Sequence, residues 1–235
     1  MSHHLLASLL PCLMVGVCPA AVFESSSVPI QVDEYRATTP GPHPAIVYLY
    51  GADAMAILPE TYVALGNAFA SRGYHFYIIH YLNRTQTLFA DPTQFGNYPL
   101  WLQTVRDATT WVEQQPGVDP QRIGVMGISL GAGLAISEAA QDPRIKAVVE
   151  WCGAQWYERL TGTAITHLPP TLILHGAKDW LVSVWLAYDL QALLQRLGTP
   201  YSIHIYPEAG HGFGGSDFTD AMERSLAWFD ERLGQ

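Results

Sequence analysis

Arg122-Ile123-Gly124-Val125-Met126-Gly127-Ile128-Ser129-Leu130-Gly131-Ala132-Gly133 is the stretch on which the fold turns. Residues 122–126 have the apolar character of a short buried strand, and the small residues from Leu130 to Ala140 suit a helix. Between them stands Gly127-Ile128-Ser129-Leu130-Gly131, a G-x-S-x-G pattern in a strand–turn–helix setting. A turn this sharp strains the backbone of its central residue and leaves no room two positions away, which Gly127 and Gly131 satisfy. Ala132 and Gly133 keep the helix slim enough to pack close to the sheet. The same turn brings the Leu130 N–H to a helix N-terminus, where it can stabilise a developing oxyanion. Ser129 is the candidate nucleophile.

Outward from this segment, strand-like and helix-like patterns alternate. Residues 45–50 (AIVYLY), 74–81 (YHFYIIHY), 145–150, 171–175 and 201–206 read as strands beside 122–126. Helical spacing links Tyr62, Leu65 and Phe69 up to Gly73, and likewise Trp101, Val105, Ala108 and Val112. It recurs in Leu186, Leu190, Leu193 and Leu197, and in Met222, Leu226, Phe229 and Leu233. This alternation predicts an α/β class, with right-handed crossovers, a mostly parallel central sheet and helices on both faces. Unbroken apolar runs such as AIVYLY and TLIL fit strands buried on both sides. In such sheets the ligand site lies beyond the C-terminal ends of the strands.

A serine hydroxyl needs a base to take its proton, and the base needs an acid to orient it. For a nucleophile on this kind of turn the chain order is serine, then Asp or Glu, then histidine. Asp179, in HGAKDWLV, lies four residues past the strand that ends at His175, and His211, in PEAGHGF, follows the strand at 201–206. Asp179 is equally placed to cap a helix beginning near Val182, and His211 to be a loop histidine among glycines. A second oxyanion donor is expected from the loop after residues 45–50. The Ala52 N–H is the first choice and Gly51 the reserve, although Gly51 also reads as an ordinary turn glycine.

Composition bounds the alternatives. The chain has 235 residues, 49% hydrophobic and 14% charged, so it is long enough for one sizeable domain and too apolar for disorder. Twelve Lys and Arg against 21 Asp and Glu give a net charge of −9, which argues against a nucleic-acid partner or an anionic lipid surface. The first twenty residues stand apart. Residues 5–17 (LLASLLPCLMVGV) are apolar and break at Pro19, with a small-residue cleavage site at Cys18-Pro19-Ala20, although Met1-Ser2-His3-His4 carries no Lys or Arg. Residues 1–20 are therefore expected to be a signal peptide that exports a single domain at 21–235, with no membrane insertion once the leader is removed. Cys152 would then be the last cysteine, leaving no internal disulfide. No metal-ligand spacing and no phosphate-binding glycine loop is present, so no cofactor is expected.

From about Ala45 to Leu233 the chain resembles the dienelactone hydrolase family of α/β-hydrolases. The resemblance rests on GISLG, PTLILHGAKDWLV and IYPEAGHGF, in that order. It implies an α/β-hydrolase fold and hydrolysis of an ester or lactone, with Ser129, Asp179 and His211 as the triad. Prototype members carry cysteine where this chain has Ser129, and an acidic residue in the strand that here reads YLYGAD. Arginines that hold a substrate carboxylate in the prototype have no counterpart after His211, leaving Arg84 as the one stand-in.

Between Gly153 and Thr171 the chain is too short for a helical cap over the site. Expected pocket residues are Tyr50 and Arg84, with Phe89, Phe95 and Tyr98 of the 83–100 segment as one wall and Trp151, Trp156 and Tyr157 as the other. An open aromatic pocket suits small or medium esters. His80 reads as a satisfied strand-end histidine, and His175 as a brace for the loop carrying Asp179. The expectation is thus a serine hydrolase of small-molecule esters or lactones. A peptidase or acyl-peptide hydrolase using the same triad, or a catalytically silent binding protein, are the alternatives.

Overall fold

In a computed structural model of the chain, residues 21–53, 55 and 59–234 are described. The expected leader at 1–20 lies outside them. Eight strands form one sheet: β1 (Ala21–Ser25), β2 (Val28–Tyr35), β3 (His43–Leu49), β4 (His75–Ile79), β5 (Val118–Ile128), β6 (Ile145–Trp151), β7 (Thr171–Gly176) and β8 (Tyr201–Tyr206). Their order is β1-β2-β4-β3-β5-β6-β7-β8. From β4 to β8 every pairing is parallel, whereas β1 and β2 join as an antiparallel edge.

The α-helices among the described residues are α1 (Pro59–Ser71), α2 (Tyr98–Glu113), α3 (Leu130–Ala139), α4 (Tyr157–Thr161), α5 (Trp185–Leu197) and α6 (Gly215–Leu233). The β3-to-β4 step runs opposite to the other crossovers, so right-handedness puts α1 on one face and α2, α3 and α5 on the other. α6 joins α1, where Phe69 and Phe229 pack with ring centroids 6.0 Å apart. Across the sheet α2 is tied to α3 by a 2.7 Å bond between the Tyr98 hydroxyl and Ser137 Oγ. Covered on both faces, β3 has six successive buried residues after His43, as its apolar run requires. Every residue of α3 is buried between sheet and α2, which explains its small-residue composition.

Two departures from the sequence reading follow from local chemistry. Apolar runs predict no strand before residue 45, yet β1 and β2 form a hairpin whose Phe23, Ile30 and Val32 alternate with exposed Glu24, Pro29 and Gln31. Its turn is made by Ser26 and Ser27 at φ 47° and 66°, a conformation usually marked by Asn or Gly. The connection from β6 to β7 carries only the five-residue α4, so no cap domain is inserted there among the described residues.

Candidate active site

The site is assembled from loops that leave the C-terminal ends of β3, β5, β7 and β8. Ser129, directly after β5, has φ 55° and ψ −120°. Its strained backbone is held by its N–H bond to the Trp151 carbonyl at 2.9 Å and by its own carbonyl, which accepts from Ala132 N–H at 3.0 Å. The glycine requirement is steric. A Cβ on Gly127 would strike the backbone of Gly131, and one on Gly131 would strike the carbonyl oxygens of Leu49 and Tyr50.

Ser129 Oγ lies 2.9 Å from His211 Nε2, and His211 Nδ1 lies 2.8 Å from Asp179 Oδ2. Asp179 serves two ends at once. Its Oδ1 accepts the N–H groups of Leu181 and Val182 at 2.9 and 2.8 Å. The capping and acid readings of this residue therefore describe two oxygens of one carboxylate, although α5 itself begins only at Trp185. Burial opposes the Asp179 charge, but bonds from His175, His211 and the Val182 N–H outweigh it and hold the carboxyl well below the usual range. The two loops are stitched by Ala177 N–H to Tyr206 C=O at 2.8 Å and Lys178 N–H to Ala209 C=O at 2.9 Å. The Gly212 N–H, next to His211, meets Cys152 Sγ at 3.3 Å. Burial pushes that thiol up to about 12, so it stays protonated and unreactive.

Leu130 opens α3, so its N–H is among those a helix leaves unpaired. Opposite it, the Tyr81 hydroxyl donates to the Tyr50 carbonyl at 3.0 Å, with the Gly51 carbonyl 3.4 Å away. In a trans peptide the N–H points away from its carbonyl, so the Gly51 and Ala52 N–H groups face away from Tyr81. Gly51 and Ala52 share with Ser129 and His211 a cleft of about 510 Å³, walled by Tyr48, Tyr62, Phe89, Trp151, Leu181, Phe213 and Phe218.

The sequence model of the dienelactone hydrolase family matches residues 54–230. The chain belongs to the dienelactone hydrolase family. A protein of Yersinia pestis assigned as a carboxymethylenebutenolidase is 27% identical over 146 residues, which is 53% of this chain and 52% of that protein. Its Escherichia coli K12 counterpart is 25% identical over 178 residues, 62% of this chain and 64% of that one. The chain thus spans between half and two thirds of the length of these two relatives. Among solved structures, a Klebsiella pneumoniae protein assigned as a dienelactone hydrolase superposes with TM-score 0.74 at 22% identity, covering 90% of this chain and 98% of that one. A dienelactone hydrolase-like promiscuous phosphotriesterase from metagenomic libraries gives 0.77 at 15% identity, covering 92% and 98%. At these identities the likeness is one of fold, the α/β-hydrolase fold.

Within this dienelactone hydrolase family fold, not every expected pocket residue reaches the cleft. Trp151 and Phe89 line it. Tyr50 does not: it is buried and stacks on Tyr81 at 4.9 Å, because the chain turns after β3 and leaves only the backbone of the next residues facing Ser129. Arg84 sits in the 3-10 turn Tyr81–Thr85, away from the lining residues. Trp156 packs over Gly133 and against Phe95 at 6.0 Å, filling the space that the glycine leaves. Tyr98, the first residue of α2, is buried against Ser137 of α3, and His80 pairs with Asp33 at 3.1 Å. Tyr62, Leu181, Phe213 and Phe218 were not read from the sequence as walls. Tyr62 belongs to α1, Phe218 to α6, and Leu181 and Phe213 to the loops after β7 and β8, and only the meeting of these distant segments turns them into one surface.

Proposed function

We propose that this protein is a serine hydrolase of carboxylic esters or lactones. The observation that carries the reading is the unbroken line Ser129 Oγ, His211 and Asp179, with contacts of 2.9 and 2.8 Å, opening on an apolar cleft. His211 takes the Ser129 proton as Oγ attacks the acyl carbon, and Asp179 keeps the hydrogen on His211 Nδ1 and stabilises the imidazolium. The tetrahedral oxyanion is received by the Leu130 and Ala52 N–H groups, with Gly51 as the neighbouring donor. His211 then protonates the leaving alcohol, and water delivered by the same histidine hydrolyses the acyl-enzyme.

The cleft also suggests the substrate class. Its described lining holds six aromatic side chains and neither Lys nor Arg. A substrate carboxylate would enter with its charge uncompensated, which is costly. Phe89 and Leu181 are each 58% exposed, so an apolar substrate would cover surface that otherwise meets water. We therefore assign neutral esters or lactones with an aromatic or compact apolar body, in place of the carboxylate-bearing lactone of the family prototype.

Turnover of neutral nitrophenyl esters and lactones, measured beside a peptide panel and the Ser129→Ala variant, tests the assignment. Ester turnover and fluorophosphonate labelling are expected together in the native chain and are lost together in Ser129→Ala. Full ester activity in that variant would overturn the reading.

A further inference from the structure

Behind the triad lies a set of buried polar groups that the proposed steps do not use. Glu150 of β6 is in register with Ile173 of β7, so Glu150 and His175 project from the same face as diagonal neighbours. Both are fully buried. Glu150 Oε2 accepts the Gly153 N–H at 2.8 Å, while Oε1 has no hydrogen-bond partner among the described residues. His175 Nε2 faces two acceptors, the Val182 carbonyl at 2.8 Å and Asp179 Oδ2 at 3.4 Å, so that nitrogen carries hydrogen. Its Nδ1 has no partner among the described residues.

One proton satisfies both orphan atoms. Through one bridging water, a neutral Glu150 passes its O–H donation on to Nδ1, and an ionised Glu150 receives that of an imidazolium Nδ1–H. Burial favours the neutral acid and pushes Glu150 up to about 7. The other end of the ring closes a circuit, since Val182 accepts from His175 through its carbonyl and donates to Asp179 Oδ1 through its N–H.

We propose that His175, with its ring set by Glu150, is a positioning residue that holds the Asp179 carboxylate against His211. This rests on the triad reading of the previous subsection. Neither residue lines the cleft, so the pair acts on the turnover step and leaves substrate binding alone.

The test measures kcat and KM on a neutral nitrophenyl ester, normalised to fluorophosphonate-titrated sites, with melting temperatures alongside. Glu150→Gln retains an acceptor for the Gly153 N–H and a donor for Nδ1, and is expected to keep kcat within about threefold of native. Glu150→Leu and His175→Phe remove the bond and, by letting the acid drift, should lower kcat by about 10- to 100-fold with KM nearly unchanged. Their double variant should be no worse than the worse single one, because both break one circuit. His175→Asn, a gentler change, should still lower kcat by about tenfold and serves if the larger changes prevent folding. Native kcat in His175→Asn, or a Glu150→Gln variant as impaired as Glu150→Leu, would overturn the proposal. Activity surviving in Ser129→Ala would instead sink the triad reading itself.

Discussion

The phenolic hydroxyl of Tyr81 lies 3.0 Å from the carbonyl oxygen of Tyr50, a residue 31 positions earlier in the chain. Through this bond a buried side chain beyond β4 fixes the peptides that follow β3. Turning the Tyr50 and Gly51 carbonyls toward this buried hydroxyl commits the Gly51 and Ala52 N–H groups to the other side. Tyr81→Phe leaves the ring stacked on Tyr50 but frees both carbonyls. Loss of one oxyanion donor outright costs about 10²–10³ in kcat, so this indirect loss is expected to cost about tenfold, with KM little changed. Steady-state kinetics on a nitrophenyl ester decide it, and a native kcat would mean that the loop holds its own orientation.

Asp179→Asn has a direction set by the surrounding donors. The Leu181 and Val182 N–H groups at Oδ1 demand an oxygen there, which forces the amide nitrogen to the Oδ2 position facing His211. Nδ1 must then accept, and the hydrogen moves to Nε2, where it blocks proton transfer from Ser129. A fall in kcat of about 10⁴ is expected with the fold retained. A fall below tenfold would assign the acid role to another carboxylate.

Gly131→Ala should damage the fold as well as the activity. The added Cβ points at the Leu49 and Tyr50 carbonyl oxygens, which belong to the end of β3 and the loop that follows it and cannot both give way. Overpacking of this kind costs about 3 kcal/mol, or a drop of about 6–12 °C in Tm for a chain of this size. Differential scanning calorimetry reads the cost directly. A Tm within about 2 °C of native would show that the elbow has more slack than its geometry allows.

Acid stability should depend on His75, at the start of β4. Its Nδ1 accepts the Ala37 N–H at 3.2 Å and its Nε2 donates to the Gly117 carbonyl at 3.1 Å, so the neutral ring is satisfied and a second proton is not. Burial, with Arg36 and His43 nearby, lowers it to about 4 from the usual 6.5. The unfolded chain takes up this proton first as the pH falls. The contribution is therefore complete above about pH 6.5 and is lost between there and pH 4, amounting to about 3 kcal/mol. His75→Gln, which has no proton to gain, should show a correspondingly flatter stability curve over that window in urea titrations. Parallel curves would place the acid sensitivity elsewhere.

Replacing a neutral nitrophenyl ester by one carrying a free carboxylate on its acyl group should lower kcat/KM by about tenfold or more, since an unpaired buried charge costs over 1 kcal/mol. Equal rates would require a cation at the cleft that the lining residues do not supply.

Much of this arrangement was legible before any fold was known. Gly127 to Gly131 read as a nucleophile turn because only glycines tolerate the approach that the structure displays, and the strand before it was visible because a strand buried on both faces must be apolar throughout. Asp179 and His211 were singled out by chain order, and because a parallel sheet delivers successive loops to the same edge, the structure places them within hydrogen-bond reach of each other and of Ser129. The β1–β2 hairpin was not, because Ser26 and Ser27 adopt positive φ without the residues that usually signal it, and its partner, β4, lies some forty residues downstream. Local sequence determined the glycine-flanked turn at Ser129, which segments are buried on both sides and the order in which Ser129, Asp179 and His211 follow one another. Tertiary structure alone decided which side chains meet: Tyr50 turns into the core, Trp156 fills the space over Gly133, Tyr81 reaches the loop after β3, and Glu150 comes to lie beside His175. Those outcomes depend on contacts between residues far apart in the chain, and neither periodicity nor spacing records which distant surface a side chain will find.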